Sequence, residues 1–139
     1  MLFLFFSFKA NADIDFKLLE ADKVLGVRIL ISGTIVKKDL DELNSAVKKI
    51  SEHIVSPLSA HYIFYLDSEG GELEPALGIG KTIRDLGALV MVEKHSQCLS
   101  SCVFILAGGA SRFVQGIVGI HRPYVLMRLD QSPLPNGWE

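Results

Sequence analysis

The chain has 139 residues, 14 Lys plus Arg against 16 Asp plus Glu, a formal net charge of −2, and 49% apolar against 22% charged residues. A chain of this length supports one hydrophobic core and leaves no room for a second. A sequence pI near 6.1 excludes a strongly basic nucleic-acid binder, and high apolar content with little net charge excludes a disordered chain.

The first eight residues read MLFLFFSF and hold four of the eight Phe. An apolar run followed by the small-x-small triplet Ala10-Asn11-Ala12 is the pattern of a signal peptide, with cleavage before Asp13 and residues 1–12 removed. That reading implies a periplasmic or secreted protein. The basic n-region is missing, because Lys9 follows the run, and the alternatives are a buried strand or an apolar anchor. The run is too short to cross a bilayer, which takes about 20 helical residues.

Val24 to Ser32 (VLGVRILIS) is apolar and rich in β-branched residues, which reads as a strand, and Gly33 to Val36 turns. Leu40, Leu43, Val47, Ile50 and Ile54 then recur at steps of three and four, the spacing of an amphipathic helix, which Pro57 closes. His61 to Leu66 (HYIFYL) is the next strand, and Asp67 to Gly71 (DSEGG) reads as a tight glycine turn. A second helix follows, with Glu72 and Glu74 favoured in its first turn, Pro75 tolerated there and Gly87 ending it before the strand Ala88 to Glu93. The order β-α-β-α-β defines an α/β domain.

Cys98-Leu99-Ser100-Ser101-Cys102 leads into Val103 to Gly109, a short apolar helix rich in small residues. Serine at a helix head meets unpaired N–H groups and the positive end of the dipole, surroundings that stabilise an alkoxide or oxyanion. The same position is an ordinary N-cap, and taken alone the segment is read first that way. The two cysteines stand at i and i+4, so on one helical turn their Cα atoms would lie about 6 Å apart. Cys98 and Cys102 are therefore either a disulfide that fixes the serine loop or two small buried thiols. Neither they nor the histidines have the spacing of a metal site, and no metal is expected.

Three stretches in order, YLDSEGG at Tyr65 to Gly71, CLSSC with its apolar helix, and GIHRP at Gly119 to Pro123, resemble the Clp protease proteolytic subunit. The resemblance extends to the ClpP/crotonase-like superfamily, especially small exported members with a Cys-x-Ser-x-Cys motif, and runs from about Val24 to Tyr124. It implies a ClpP/crotonase-like spiral of β-β-α units, C-terminally truncated, over residues 13–128, followed by an irregular tail, 129–139. It also implies a serine peptidase acting on a peptide or protein substrate through an acyl-enzyme.

Position by position, the resemblance makes Ser100 the nucleophile and His121 the general base that takes its proton and returns it to the leaving amine. A strand over about Arg112 to Ile120 brings the histidine back beside the serine. Apart from the resemblance, His121 reads as a strand-end histidine satisfying backbone groups. Backbone N–H groups of Gly70, Gly71 and Ser101 become the oxyanion hole; the plainer reading of the glycines is a β-turn before a helix. Glu69 stands where the family commonly has proline, and with Glu72 it is expected to make the groove edge more acidic and less rigid.

The family's third triad residue, an aspartate, comes well downstream of the histidine, whereas this chain ends 18 residues after His121. Asp130 is the nearby acid, in a segment (LDQSPLPNGWE) that reads as loop or tail. Loss of an orienting carboxylate costs a serine protease about 10⁴ in turnover, so lowered activity is expected. The alternative is a catalytically inactive ClpP-like binding or assembly module. A crotonase-type enzyme acting on an acyl thioester is disfavoured, since no acyl-CoA signature is present. Lys94 is a second candidate base, by analogy with the Ser/Lys dyad of signal peptide peptidases, and His95 a candidate substrate contact; His53 and His61 read as helix-end and strand-start residues. No cofactor is expected, and without a GxxxxGK[ST] loop any ATP dependence belongs to a partner. Nucleic acid is not an expected partner, a homo-oligomer is left open, and the membrane is met only through an uncleaved signal segment.

Overall fold

Alternation of buried and exposed side chains builds the centre of the molecule. On one strand Val27, Ile29 and Ile31 are buried between the outward Arg28 and Leu30, and on its neighbour Tyr62, Phe64 and Leu66 are buried between His61, Ile63, Tyr65 and Asp67. The computed structural model describes residues 13–21, 24–53 and 60–121. The readings of a signal peptide, of Ile54 and Pro57 as a helix end, of Asp130 and of the tail 129–139 lie outside them.

In chain order the elements are β1 (Asp13–Ala21), β2 (Val24–Ile35), α1 (Lys37–His53), β3 (Ala60–Gly71), α2 (Leu73–Asp85), β4 (Leu89–Val92), β5 (Gln97–Leu99), α3 (Cys102–Gly108), β6 (Ser111–Val114) and β7 (Ile117–Gly119). The main sheet has the order β1-β2-β3-β4-β6; β1 runs antiparallel to β2 and the other pairs are parallel. A second parallel ladder joins β3, β5 and β7 through Ser68↔Cys98 and Gln97↔Ile117 to Leu99↔Gly119. The chain thus passes twice from a main-sheet strand to a second-sheet strand, β4 to β5 and β6 to β7, with α3 between the two pairs. β3 serves both sheets, pairing with β4 over Ile63 to Tyr65 and with β5 at Ser68.

Three segments differ from the sequence expectation. The first is Gly33 to Val36, read as a turn, of which Gly33 to Ile35 continue β2 because Thr34 and Ile35 pair with the end of β3. Asp67 to Gly71 is no turn: it continues β3, because β2 pairs with it through Thr34↔Gly70 and Ile35↔Gly71, after a register shift between Ser32 and Thr34. The strand expected over Arg112 to Ile120 is two strands. Val92 O takes the N–H of both Gln115 and Gly116, at 2.8 and 3.1 Å, and breaks the run there.

The core lies between the main sheet and the helices, with Leu43 from α1, Ala76, Ile79 and Ile83 from α2, and Cys102, Ile105 and Leu106 from α3. Glycine sets the α2–α3 distance: a Cβ on Gly80 would lie 2.6 Å from Phe104 O, and one on Gly108 2.2 Å from Gly80 O. The two helices therefore pack backbone against backbone.

Asp39 lies in the first turn of α1 and is only 1% exposed. Its Oδ2 accepts the Val36 N–H at 2.7 Å while its own N–H donates to Val36 O at 3.0 Å, half of a capping box. Its Oδ1 is buried with no partner among the described residues. Burial raises its pKa above the ordinary 3.8 and outweighs the Val36 hydrogen bond; Glu42 and Glu72 push the same way and Lys38 opposes. The folded chain therefore holds this proton more tightly than the unfolded chain does. Stability from this group is greatest below 3.8 and declines as pH rises through the raised folded value, then levels. Asp39→Asn is expected to flatten that part of the profile, measured as the urea midpoint between about pH 3 and about pH 7.

Candidate active site

Ser100 occupies the two-residue turn between β5 and α3. Its φ is +55°, and it is the one non-glycine among the described residues at positive φ. The left-handed conformation costs an L-residue about 1–2 kcal/mol, so the surroundings must impose it. Ser100 N–H donates to Gly119 O at 2.9 Å, and Ser100 O and Ser101 O accept the N–H groups of Val103 and Phe104, each at 3.1 Å. The Ser101 N–H lies at the head of α3, ahead of the Val103 N–H that makes the first of these bonds.

A disulfide joins Cys98 to Cys102 across this turn, with Cα atoms 5.3 Å apart. The pair does not lie on one helical turn as the i, i+4 spacing suggested. Cys98 is the middle residue of β5 and Cys102 the first of α3, so the bridge ties strand to helix over the serine. The N-cap expectation also changes: Ser101 stands at the N-cap of α3 but makes no side-chain cap bond. Its Oγ donates instead to Gly71 O at 3.0 Å, binding the helix head to the glycine pair.

That pair lies directly against the serine. Gly70 has φ +95°, and a Cβ there would meet Leu99 O at 2.6 Å, Ser100 Cβ at 2.8 Å and Ser101 N at 3.0 Å. Only a residue without a side chain lets β3 come this near the turn. Ser68 underlies it: fully buried, it donates to Gly33 O at 2.6 Å and accepts the Gly70 N–H at 3.0 Å. The Gly70 N–H, expected to face substrate, is therefore already engaged within the chain.

Of the residues singled out in the sequence, Cys98, Ser100, Ser101, Cys102, Gly70 and Gly71 come together. His121 is exposed and follows β7, two residues beyond the carbonyl that takes the Ser100 N–H. Lys94 and His95 lie in the turn entering β5, at the end of that strand away from Ser100 and about 10 Å along it at strand rise. They do not join the cluster. Glu69 is tied to Thr34, whose Oγ1 donates to its Oε1, and that hydrogen bond lowers the Glu69 pKa. The edge expected to be less rigid for want of a proline is thus pinned by a side chain. Ser68 was missed, although a serine at the inward position after Tyr62, Phe64 and Leu66 was the signal for a buried polar support. A recess of about 390 Å³ lined by His61, Tyr62, Leu86 and Ser111 lies at the N-terminal ends of β3 and β6, the far end of the sheet from Ser100. In open parallel sheets function gathers at the carboxyl ends of the strands, where Gly70, Gly71 and Ser100 stand.

Parallel strands that pass from one sheet into a second, with a glycine pair ending β3 and a serine turn ending β5, make this a fold of the ClpP-like, crotonase type. Among solved structures, the chain is similar to the 1510-N membrane-bound stomatin-specific protease in a Ser-to-Ala mutant form, with a TM-score of 0.62 and 18% identity over 81% of this chain and 55% of that one. The chain spans about half the length of the solved structure it matches. No family model matches the chain, and no curated protein matches it.

Proposed function

We propose that the chain is a ClpP-like serine peptidase, exported from the cytoplasm, that cleaves peptide bonds through an acyl-enzyme on Ser100. The observation that carries this reading is the Ser100 turn: a serine at φ +55° set against Gly70 at a helix head. A structural N-cap needs neither the positive φ nor the close glycine, and α3 has no side-chain cap.

In the proposed reaction His121 takes the Ser100 Oγ proton as the oxygen attacks the scissile carbonyl, and then gives it to the leaving amine. Water, deprotonated by His121, releases the acyl group. The Ser101 N–H is the principal donor to the tetrahedral oxyanion, since such groups cost no reorganisation at the moment of reaction. Gly71 supplies the second donor, and Gly70 contributes once a substrate oxygen displaces Ser68 Oγ from its N–H.

The test is intact-mass analysis of the full chain after treatment with a fluorophosphonate, beside Ser100→Ala and His121→Ala. Stoichiometric labelling of the native chain, lost in both variants, is the expected result. A folded native chain that takes no label defeats the peptidase reading. The engaged Gly70 N–H favours the second reading in that event, a peptide-binding module without turnover.

A further inference from the structure

Beyond the first hydrogen bonds of α3, three restraints act on the Ser100 turn, and two of them are hydrogen bonds to neighbouring strands: Ser100 N–H to Gly119 O at 2.9 Å and Ser101 Oγ to Gly71 O at 3.0 Å. The third is covalent, the Cys98–Cys102 disulfide that spans Leu99, Ser100 and Ser101. Its two ends are anchored in different layers. Cys98 pairs with Ser68 of β3 on one side and Val118 of β7 on the other. Cys102 opens α3, whose seven residues are too few to form a helix without tertiary support. A serine does not settle at φ +55° by its own preference, so the turn keeps this shape only while its restraints hold.

We infer that the Cys98–Cys102 disulfide is a redox-sensitive positioning element for Ser100: oxidised, it holds the serine beside Gly70, and reduced, it lets the turn relax so that the serine loses that alignment. The inference rests on the reading of Ser100 as nucleophile. The reductant is a small dithiol. One of its thiolates attacks a bridge sulfur, the S–S bond breaks as a mixed disulfide forms, and its second thiolate displaces the remaining protein sulfur. Two electrons and two protons pass to the chain, which ends with two thiols, while the reductant ends as a cyclic disulfide. Both cysteines are fully buried, so attack follows local opening of the turn and is slower than at an exposed bridge. The chain has 2 cysteines in all, so reoxidation within it regenerates the same bridge.

The experiment equilibrates the full chain in mixtures of reduced and oxidised dithiothreitol. Alkylation and intact mass give the fraction bridged, a fluorophosphonate gives the labelling rate, and amide hydrogen exchange is followed over residues 97–104 and, as a reference, 26–35. On reduction the labelling rate is expected to fall about tenfold or more, with the same midpoint as loss of the bridge, and to return on reoxidation. Exchange over 97–104 should rise while 26–35 stays protected. A Cys98→Ala/Cys102→Ala chain, folded by circular dichroism, should label at the reduced rate and ignore the redox buffer. Equal labelling and equal exchange in the two forms overturn the inference, as does loss of the far-ultraviolet signal on reduction, which makes the bridge a support of the whole fold. If neither form labels, the peptidase reading falls, and exchange alone decides the bridge's part: a rise over 97–104 supports it and no change overturns it.

Discussion

Gly71→Ala is expected to destabilise the fold by about 3–5 kcal/mol, a large share of the roughly 5–15 kcal/mol that holds a domain together. The added Cβ would lie 2.2 Å from Ile35 O and 2.7 Å from Ile35 N, both backbone atoms of the strand with which Gly71 is in register. No flexible side chain is there to give way. The strand pair must part, and with it the Glu72 N–H to Ile35 O bond of 2.9 Å that starts α2. Gly87→Ala is the matched control, because Gly87 is also at positive φ, +61°, yet a Cβ there meets nothing within 4 Å. Its cost should be the left-handed penalty alone, about 1 kcal/mol. Urea midpoints of the two variants decide the matter, and equal midpoints refute the steric account.

The second large effect is expected at Ser100, where two variants that lose labelling alike should differ in stability. Ser100→Ala and Ser100→Gly both remove the proposed nucleophile, so fluorophosphonate labelling should drop to background in each. Alanine keeps the strain of φ +55° and glycine relieves it. Against that gain stands glycine's greater freedom in the unfolded chain, about 0.5–1 kcal/mol. Ser100→Gly is then expected to be more stable than Ser100→Ala by about 0.5–1 kcal/mol. A glycine variant no more stable than the alanine one would mean that the turn adopts φ +55° without strain. Residues kept in costly conformations gather where function requires them, and this comparison measures that cost directly.

Much of the main sheet was legible because its signals are local. Val27, Ile29 and Ile31, then Tyr62, Phe64 and Leu66, alternate as strands with one face in a core, and Leu40, Leu43, Val47 and Ile50 keep helical spacing. The second sheet was not legible. β5 has three residues, too few for any period, and it exists because Cys98 can pair with Ser68 thirty residues away. The extension of β3 through Gly71 has the same cause: DSEGG has turn composition, and only pairing with Thr34 and Ile35 makes it strand. The break between β6 and β7 depends on Gly116, where a Cβ would meet Ser96 O at 2.2 Å, a contact that no window of sequence contains. At the candidate site the residue types stood out in the motifs YLDSEGG and CLSSC. Hidden were Ser68 beneath Gly70 and the layout of the bridge, since both arise where the two ladders meet.

The meeting of the ladders also fixes how this region can change over time. From the rung Ser68↔Cys98, Gly70 lies two residues on along β3 and Ser100 two residues on, just past the end of β5, and there the two arms touch. Substitution at Leu99 or Glu69 leaves that count intact. Insertion or deletion of one residue turns Gly70 to the opposite face of β3 or carries the Ser100 turn out of reach of it. Across diverged copies of this gene, the lengths of the two arms should therefore persist after most of the intervening side chains have been replaced.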